Sequence, residues 1–179
     1  MRVRSTSALT VRHVRPGDGP AVRDLNERAM AETPEWVPDT PDADLERLPD
    51  SYADGEFLVG TVGGDIVATG AYVPLGTGEH AGWMADEFDV DGRAAEVTRM
   101  RVDPDRQRRG YGRRIYRTLE RRAAGDGYRT LVLNTGAENE RARAFYEDLG
   151  FDSEDEVTVE FADATLDLAL YRKRIDERS

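Results

Sequence analysis

Cysteine is absent from this chain, and lysine nearly so: Lys173 is the one lysine among 25 basic residues. Without thiols there can be no disulfide, no thiolate metal ligand and no cysteine nucleophile. Histidine is scarce too, with only His13 and His80. Two imidazoles are too few for an ordinary zinc site, so no metal is expected. Neither is accompanied by a Gly-x-Ser-x-Gly elbow, which removes the usual sign of a serine hydrolase, and both are expected to be structural. No apolar run approaches the ~18 residues of a membrane helix. The stretch Met1 to Thr10 has two arginines but no apolar segment behind them, unlike a secretory signal. The expectation is a cytoplasmic protein. Its 179 residues suit a single domain of ordinary size, residues 1–179, with a real core.

What is abundant is negative charge. Asp and Glu number 36, giving a formal net charge of −11. Such a surface repels nucleic acid and anionic membranes, so neither is expected as a partner. It also repels itself in dilute buffer, whereas at molar salt the screening length falls to ~3 Å. A salt-adapted, halophilic setting accounts for this balance. A GC-rich genome favouring arginine would account for the missing lysine without it.

Along the chain, Leu9 to Val14 alternates as a strand and is broken by Pro16-Gly17-Asp18-Gly19-Pro20, after which a helix is expected from Ala21 to Ala31. Residues 32 to 55 hold four prolines and many acids and read as a loop with a short helical piece near Ala43 to Leu48. Glu56 to Val62 and Asp65 to Val73 form a hairpin over Gly63-Gly64. Residues 74 to 94 read as a long excursion, and Ala95 to Val102 as a strand. Tyr111, Ile115, Leu119 and Ala123 give one stripe to a helix over Gly110 to Ala124, which Gly125 and Gly127 end. A short strand at Thr130 to Leu133 follows, then a helix over Asn139 to Asp148 and strands at Glu156 to Phe161 and Leu166 to Lys173. The order β-α-β-β-β-α-β-α-β-β implies an α/β sheet with helices on its faces.

The chemistry concentrates between Ala95 and Phe151. From Arg99 to Arg122 there are ten arginines and three acids. This basic island in an acidic chain points to an anionic ligand. Its centre is the turn Gln107-Arg108-Arg109-Gly110-Tyr111-Gly112, between a strand and an amphipathic helix. The first amides of a helix lack internal partners and favour negative charge, and glycines let a diphosphate approach the backbone. The dipole contributes only ~0.3–1 kcal/mol, so the arginines must assist. For Arg106 to Arg109 ligand contact is expected; Arg117, Arg121 and Arg122 read as a solvated face. A Walker loop needs a lysine that is not there. A Rossmann fingerprint needs a third glycine where Ile115 stands.

The segment resembles the GNAT superfamily of N-acetyltransferases. Gln107, Gly110 and Gly112 match its Gln/Arg-x-x-Gly-x-Gly/Ala motif. Glu96 to Pro104 is similar to its fourth strand. Asn139, Ala142, Phe145, Tyr146, Gly150 and Phe151 match its Asn-x-x-Ala-x-x-Phe-Tyr-x-x-x-Gly-Phe signature. The detailed match covers about a third of the chain; elsewhere only strand order and an opening Val14-Arg15-Pro16 agree. The resemblance implies a mixed, mostly antiparallel sheet of about six or seven strands, helices on both faces, and splayed fourth and fifth strands. It implies acetyl-coenzyme A as co-substrate. Backbone amides from Arg108 to Arg113, with Arg109 and Tyr111 between them, would bind its pyrophosphate. Met100, Arg101 and Val102 would hydrogen-bond the pantetheine arm, with Asn139. Tyr146 would protonate the departing thiolate.

The acceptor is expected to be a small-molecule amine. An alkylamine titrates near ~10.4 and attacks only when neutral, so a base is needed. Glu96 is the candidate, unless Arg99 pairs with it. The absent cysteine favours direct transfer in a ternary complex. Acceptor recognition is expected in Glu32 to Asp39, around Glu35 and Trp36, and in residues 76 to 92 around Trp83; equally, Trp36 could plug the core. A protein N-terminus as acceptor, or an acyl-coenzyme A sensor without turnover, would share the cofactor site. A homodimer is compatible with the resemblance.

Overall fold

The computed structural model describes residues 8–77, 81–90, 92–161 and 163–176; His80 lies outside them. Seven strands form one sheet: β1 Thr10–His13, β2 Glu56–Val62, β3 Asp65–Pro74, β4 Ala94–Val102, β5 Thr130–Gly136, β6 Asp152–Phe161 and β7 Ala164–Arg174. Their spatial order is β1-β2-β3-β4-β5-β7-β6. Every neighbouring pair is antiparallel except β4 and β5, which run parallel.

Among the described residues five α-helices cover the two faces: α1 Gly19–Met30, α2 Ala43–Glu46, α3 Ala81–Glu87, α4 Tyr111–Gly125 and α5 Glu140–Asp148. In α4, Ile115, Leu119 and Ala123 are buried on one stripe against Leu58, Ala68, Val97 and Leu131 of the sheet, where α5 adds Phe145 and Tyr146. The spacing of four places these side chains one above another. On the opposite face, α1 buries Val22, Leu25, Asn26 and Ala29, and Val22 and Leu45 meet Val59, Ala71 and Val73. Pro20 opens α1 where its missing N–H costs nothing. At the β2–β3 turn Gly63 and Gly64 have φ of 59° and 88°, the left-handed pair that a tight hairpin requires.

The sole lysine belongs to the core. Lys173 Nζ lies 2.5 Å from the buried Glu120 carboxylate and donates to Leu149 O at 2.8 Å. Glu120 also accepts from Tyr116 Oη at 3.0 Å. These bonds satisfy a carboxylate that would otherwise be costly to bury.

Two elements depart from the sequence reading. The expected excursion of residues 74 to 94 contains α3, which sets Met84 and the following Phe88, four apart, over Val132 and Leu170. Strand β6 begins at Asp152, four residues earlier than expected. Asp152-Ser153-Glu154-Asp155 has poor strand propensity. It is recruited by pairing with β7, helped by Arg172–Glu154 at 2.6 Å and across a bulge between Ser153 and Glu156. The acids along this edge strand also discourage edge-to-edge association. Among the described residues, no helix is long and apolar enough to cross a membrane, and no group of His, Asp and Glu is disposed to hold a metal ion.

Candidate active site

Strands β4 and β5 pair only from Ala94, Ala95 and Glu96 to Thr130, Leu131 and Val132. Beyond those pairs β4 runs on to Val102 and β5 to Gly136 without facing one another. The parting opens a cleft of about 1910 Å³, bordered by the α1–α2 loop, β4, the head of α4, β5 and α5.

At one end of the cleft is the glycine turn. Asp103 leaves β4, and its carboxylate accepts from Asp105 N at 2.9 Å and pairs with Arg28 at 3.1 Å. The chain then winds through a 3₁₀ turn, Pro104–Arg106, and reaches α4 with both Arg108 (φ 63°) and Gly110 (φ 78°) left-handed. Successive left-handed and helical residues aim main-chain N–H groups into one concavity, and the first turn of α4 has no preceding carbonyls for its amides. Gln107, Arg108, Gly110, Tyr111, Gly112 and Arg113 border the cleft; Arg109 is exposed and does not. Nothing lies within 4 Å of where a Gly110 side chain would begin, while one on Gly112 would meet Val102 and Phe145 at 3.4 Å. Arg113 is engaged with Asp148. Arg108 thus carries the least committed charge beside the amides.

In the middle, β4 carries a bulge opposite Thr69 and Ala71, with Arg99 at φ 56°. Ala95, Val97, Met100 and Val102 pack toward α4. Glu96, Arg99 and Arg101 take the other face: Glu96 stands opposite Val73, and both arginines reach Asn26 of α1. Glu96 and Arg101 share that face only because the bulge adds a residue between them.

Arg99 is closely bound. Its guanidinium meets Asp44 at 2.6 and 3.0 Å and Asp42 at 3.0 Å, and Tyr52 Oη donates to Asp44 at 2.5 Å. Burial opposes ionisation of Asp44, but its bond and charge interaction with Arg99 hold its carboxyl below the usual range. Burial likewise works against the Arg99 cation, and the same pairing raises it above its ordinary value. Arg101 donates through Nε to Asn26 Oδ1 and through Nη1 to Met100 O, each at 2.9 Å. Burial and the neighbouring Arg99 charge bring it down to about 10, so it stays cationic at neutral pH.

Across the gap, Asn139 caps α5: its Oδ1 accepts from Ala142 N at 3.0 Å. Its Nδ2 donates to both oxygens of Glu35, at 3.0 and 3.3 Å. Gly136 leaves room for that carboxylate, since a side chain there would begin 2.6 Å from Glu35 Oε2. Tyr146, in the second turn of α5, packs against Phe145, Phe151 and Tyr171 with ring centroids 5.1, 5.7 and 6.5 Å away. Its hydroxyl makes no hydrogen bond among the described residues. Burial pushes that hydroxyl up to about 12, against the opposing charge of Arg101.

The geometry therefore collects most of the sequence candidates around one cleft: Glu96, Met100, Arg101, Val102, Gln107, Arg108, Gly110, Tyr111, Gly112, Arg113, Asn139 and Tyr146 all border it, and Arg109 does not. Glu96 is buried, 2% exposed. Trp36 is 39% exposed at the rim, so it does not plug the core. Asn26, Asp42 and Asp44 escaped the sequence reading. Asn26 could have been found as the polar residue inside the stripe Val22, Leu25, Ala29; nothing sets Asp44 apart in an acid-rich loop.

The sequence profile of the acetyltransferase (GNAT) family matches residues 22–151. No curated protein matches the sequence closely. Solved structures share the fold at low identity. The ribosomal-protein-S18-alanine N-acetyltransferase from Escherichia coli is 24% identical with a TM-score of 0.68, over 94% of this chain and 95% of that one. The yncA protein from Salmonella typhimurium, solved with its cofactor acetyl-CoA, is 23% identical with a TM-score of 0.70, over 95% of each chain. The phosphinothricin acetyltransferase from Sinorhizobium meliloti, in complex with AcCoA, is 15% identical with a TM-score of 0.71, over 94% and 89%. With the family profile spanning most of the chain, and the parted strands and glycine turn it would require in position, this protein belongs to the acetyltransferase (GNAT) family.

Proposed function

We propose that the protein moves an acetyl group from acetyl-coenzyme A to the amine of a small molecule, directly and within a ternary complex. The observation that carries this reading is the juxtaposition of the glycine turn at the head of α4 with the gap between β4 and β5. The turn suits a diphosphate, and the gap leaves β4 at Met100, Arg101 and Val102 with no strand on its β5 side, open to an extended amide-bearing arm. Acetyl-coenzyme A has both parts, and when bound it supplies a thioester carbonyl that a neutral amine attacks, a C–N bond forming as the C–S bond breaks.

In this reading the amides from Arg108 to Arg113 hold the diphosphate, with Arg108 and Gln107 beside it. Asn139 steadies the arm. Tyr146 keeps its proton at neutral pH, because burial raises its hydroxyl, and delivers it to the departing sulfur. A thiol titrates near ~8.5, so this aid is modest. Glu96, on the acceptor face, takes the proton that the amine loses, through water. The reaction balances, with acetylated amine and free thiol as products.

Acetylation of a protein N-terminus would use the same cofactor groups; the small-molecule acceptor is preferred because Glu35 and Trp36 line the cleft and pair an acid with an aromatic ring, a combination that receives a cationic amine. A cytoplasm of high ionic strength completes the reading, on the acidic, lysine-poor composition. Calorimetry with acetyl-coenzyme A at molar salt, followed by thiol release with a panel of amines, tests the function. Binding with amine-dependent thiol release is expected. Binding without release from any amine would favour a sensor, and no binding would defeat the reading.

A further inference from the structure

We infer that Arg101 receives a carboxylate of the acceptor, so that the preferred substrates are small amines that also carry a carboxyl group, amino acids among them. The inference rests on the acetyl-transfer reading above.

Arg99 and Arg101 share a face of β4 and contact the same Asn26, yet their charges are treated differently. Arg99 is met by two carboxylates, Asp42 and Asp44. Arg101 is met only by neutral oxygens, those of Asn26 and Met100. Among the described residues no carboxylate comes within ion-pair distance of Arg101, and its Nη2 has no hydrogen-bond partner. A half-buried cation in a cleft wall with no carboxylate bonded to it is costly, and the more distant charges of Glu35 and Asp42 offset that cost only in part. The bound acceptor can supply that charge. A guanidinium presents a planar pair of N–H groups that grips a carboxylate through two parallel bonds.

The position suits the chemistry. Arg101 and Glu35 both act electrostatically on Tyr146, so a carboxylate on Arg101 lies close to the hydroxyl proposed to serve the sulfur. Across the gap, Glu35 presents negative charge. One cation and one anion on facing walls match an amino acid, whose ammonium and carboxylate are adjacent.

The test uses thiol release from acetyl-coenzyme A with matched acceptors: an amino acid, its amide and its decarboxylated amine. The enzyme is compared with Arg101→Gln and Arg101→Lys, each checked for folding by circular dichroism. The unsubstituted protein is expected to favour the amino acid over its decarboxylated amine in kcat/KM by roughly 10- to 100-fold, what hydrogen bonds between charged groups contribute. Arg101→Gln should collapse that ratio, mainly through KM for the amino acid, and Arg101→Lys should restore part of it. Equal use of all three acceptors, a ratio unchanged in Arg101→Gln, or acetylation confined to peptide N-termini would each overturn the inference while leaving acetyl transfer intact. Failure of acetyl-coenzyme A to bind, read separately by calorimetry, would overturn the transfer reading and this inference with it.

Discussion

Arg99 Nη2 lies 2.6 Å from the Asp44 carboxylate, joining β4, which borders the cleft, to the short helix α2. Asp44 is only 5% exposed, and removing it leaves the Arg99 cation with Asp42 as its one remaining carboxylate among the described residues. Asp44→Ala is expected to cost about 3 kcal/mol, the lower end for breaking a buried pair, lowering the melting temperature by on the order of 10 °C. Calorimetric unfolding measures this directly. The pH dependence has a definite sign. Asp44 titrates below its ordinary value in the folded protein, so its pairing stabilises fully above the unfolded carboxyl value of ~3.9. That contribution disappears as pH falls through the folded value. The stability gap between Asp44→Asn and the parent should therefore shrink below about pH 4.

Asn139 performs two separable tasks. Asn139→Ala removes the cap of α5, at a cost of about 1 kcal/mol, and releases Glu35. Asn139→Asp can still accept from Ala142 N but repels Glu35. Thermal unfolding should rank Ala as the less stable variant, whereas limited proteolysis of the α1–α2 loop should quicken in both. Equal loop protection in parent and Asp variant would show that Glu35 is held by other means.

At Gly110 a β-branched residue would be forced to φ 78°, a conformation costing roughly 1–2 kcal/mol for such a side chain. Gly110→Val should reduce acetyl-coenzyme A affinity at least tenfold while lowering stability by no more than that conformational cost, leaving the fold intact. Isothermal titration beside a melting curve separates the two. Affinity left unchanged would rule out the turn as the diphosphate site.

Tyr146→Phe preserves the ring packed on Phe145, Phe151 and Tyr171 and deletes the unbonded hydroxyl. Turnover should fall by about 10²-fold, the lower end of what a positioned acid contributes, with acetyl-coenzyme A affinity nearly unchanged. Poorer leaving groups should suffer more. A variant with full turnover would leave the hydroxyl without a role.

Self-repulsion at net charge −11 should be relieved as potassium chloride rises toward ~1 M, where the screening length is ~3 Å. Denaturant midpoints are expected to increase across that range. A flat or falling series would leave the composition to codon usage.

The parts legible from sequence were those in which local pattern and tertiary demand coincide. The four-residue spacing of Ile115, Leu119 and Ala123 reports the face that α4 buries, and Gly63-Gly64 reports a turn whose two left-handed positions few residue pairs adopt. The two family signatures lie on the turn and helix that flank the gap, so much of the site could be named before its shape was known. What escaped depends on partners remote in sequence. Asp44 is special only because Arg99 arrives from 55 residues away. The start of β6 is a strand only because β7 lies beside it. The bulge at Arg99 has no local signature, yet it decides which side chains of β4 look into the cleft.

Among the described residues, three pairs, Ala94 with Thr130, Ala95 with Leu131 and Glu96 with Val132, make up the strand pairing between the first four strands and the last three. The gap beyond them is an unfinished seam. A ligand that lends its amides to the free margin of β4 becomes, for as long as it stays, an eighth thread in the fabric. Slowed exchange of amide hydrogens along that margin would then track occupancy, and resistance to unfolding would rise and fall with the supply of the molecule being consumed.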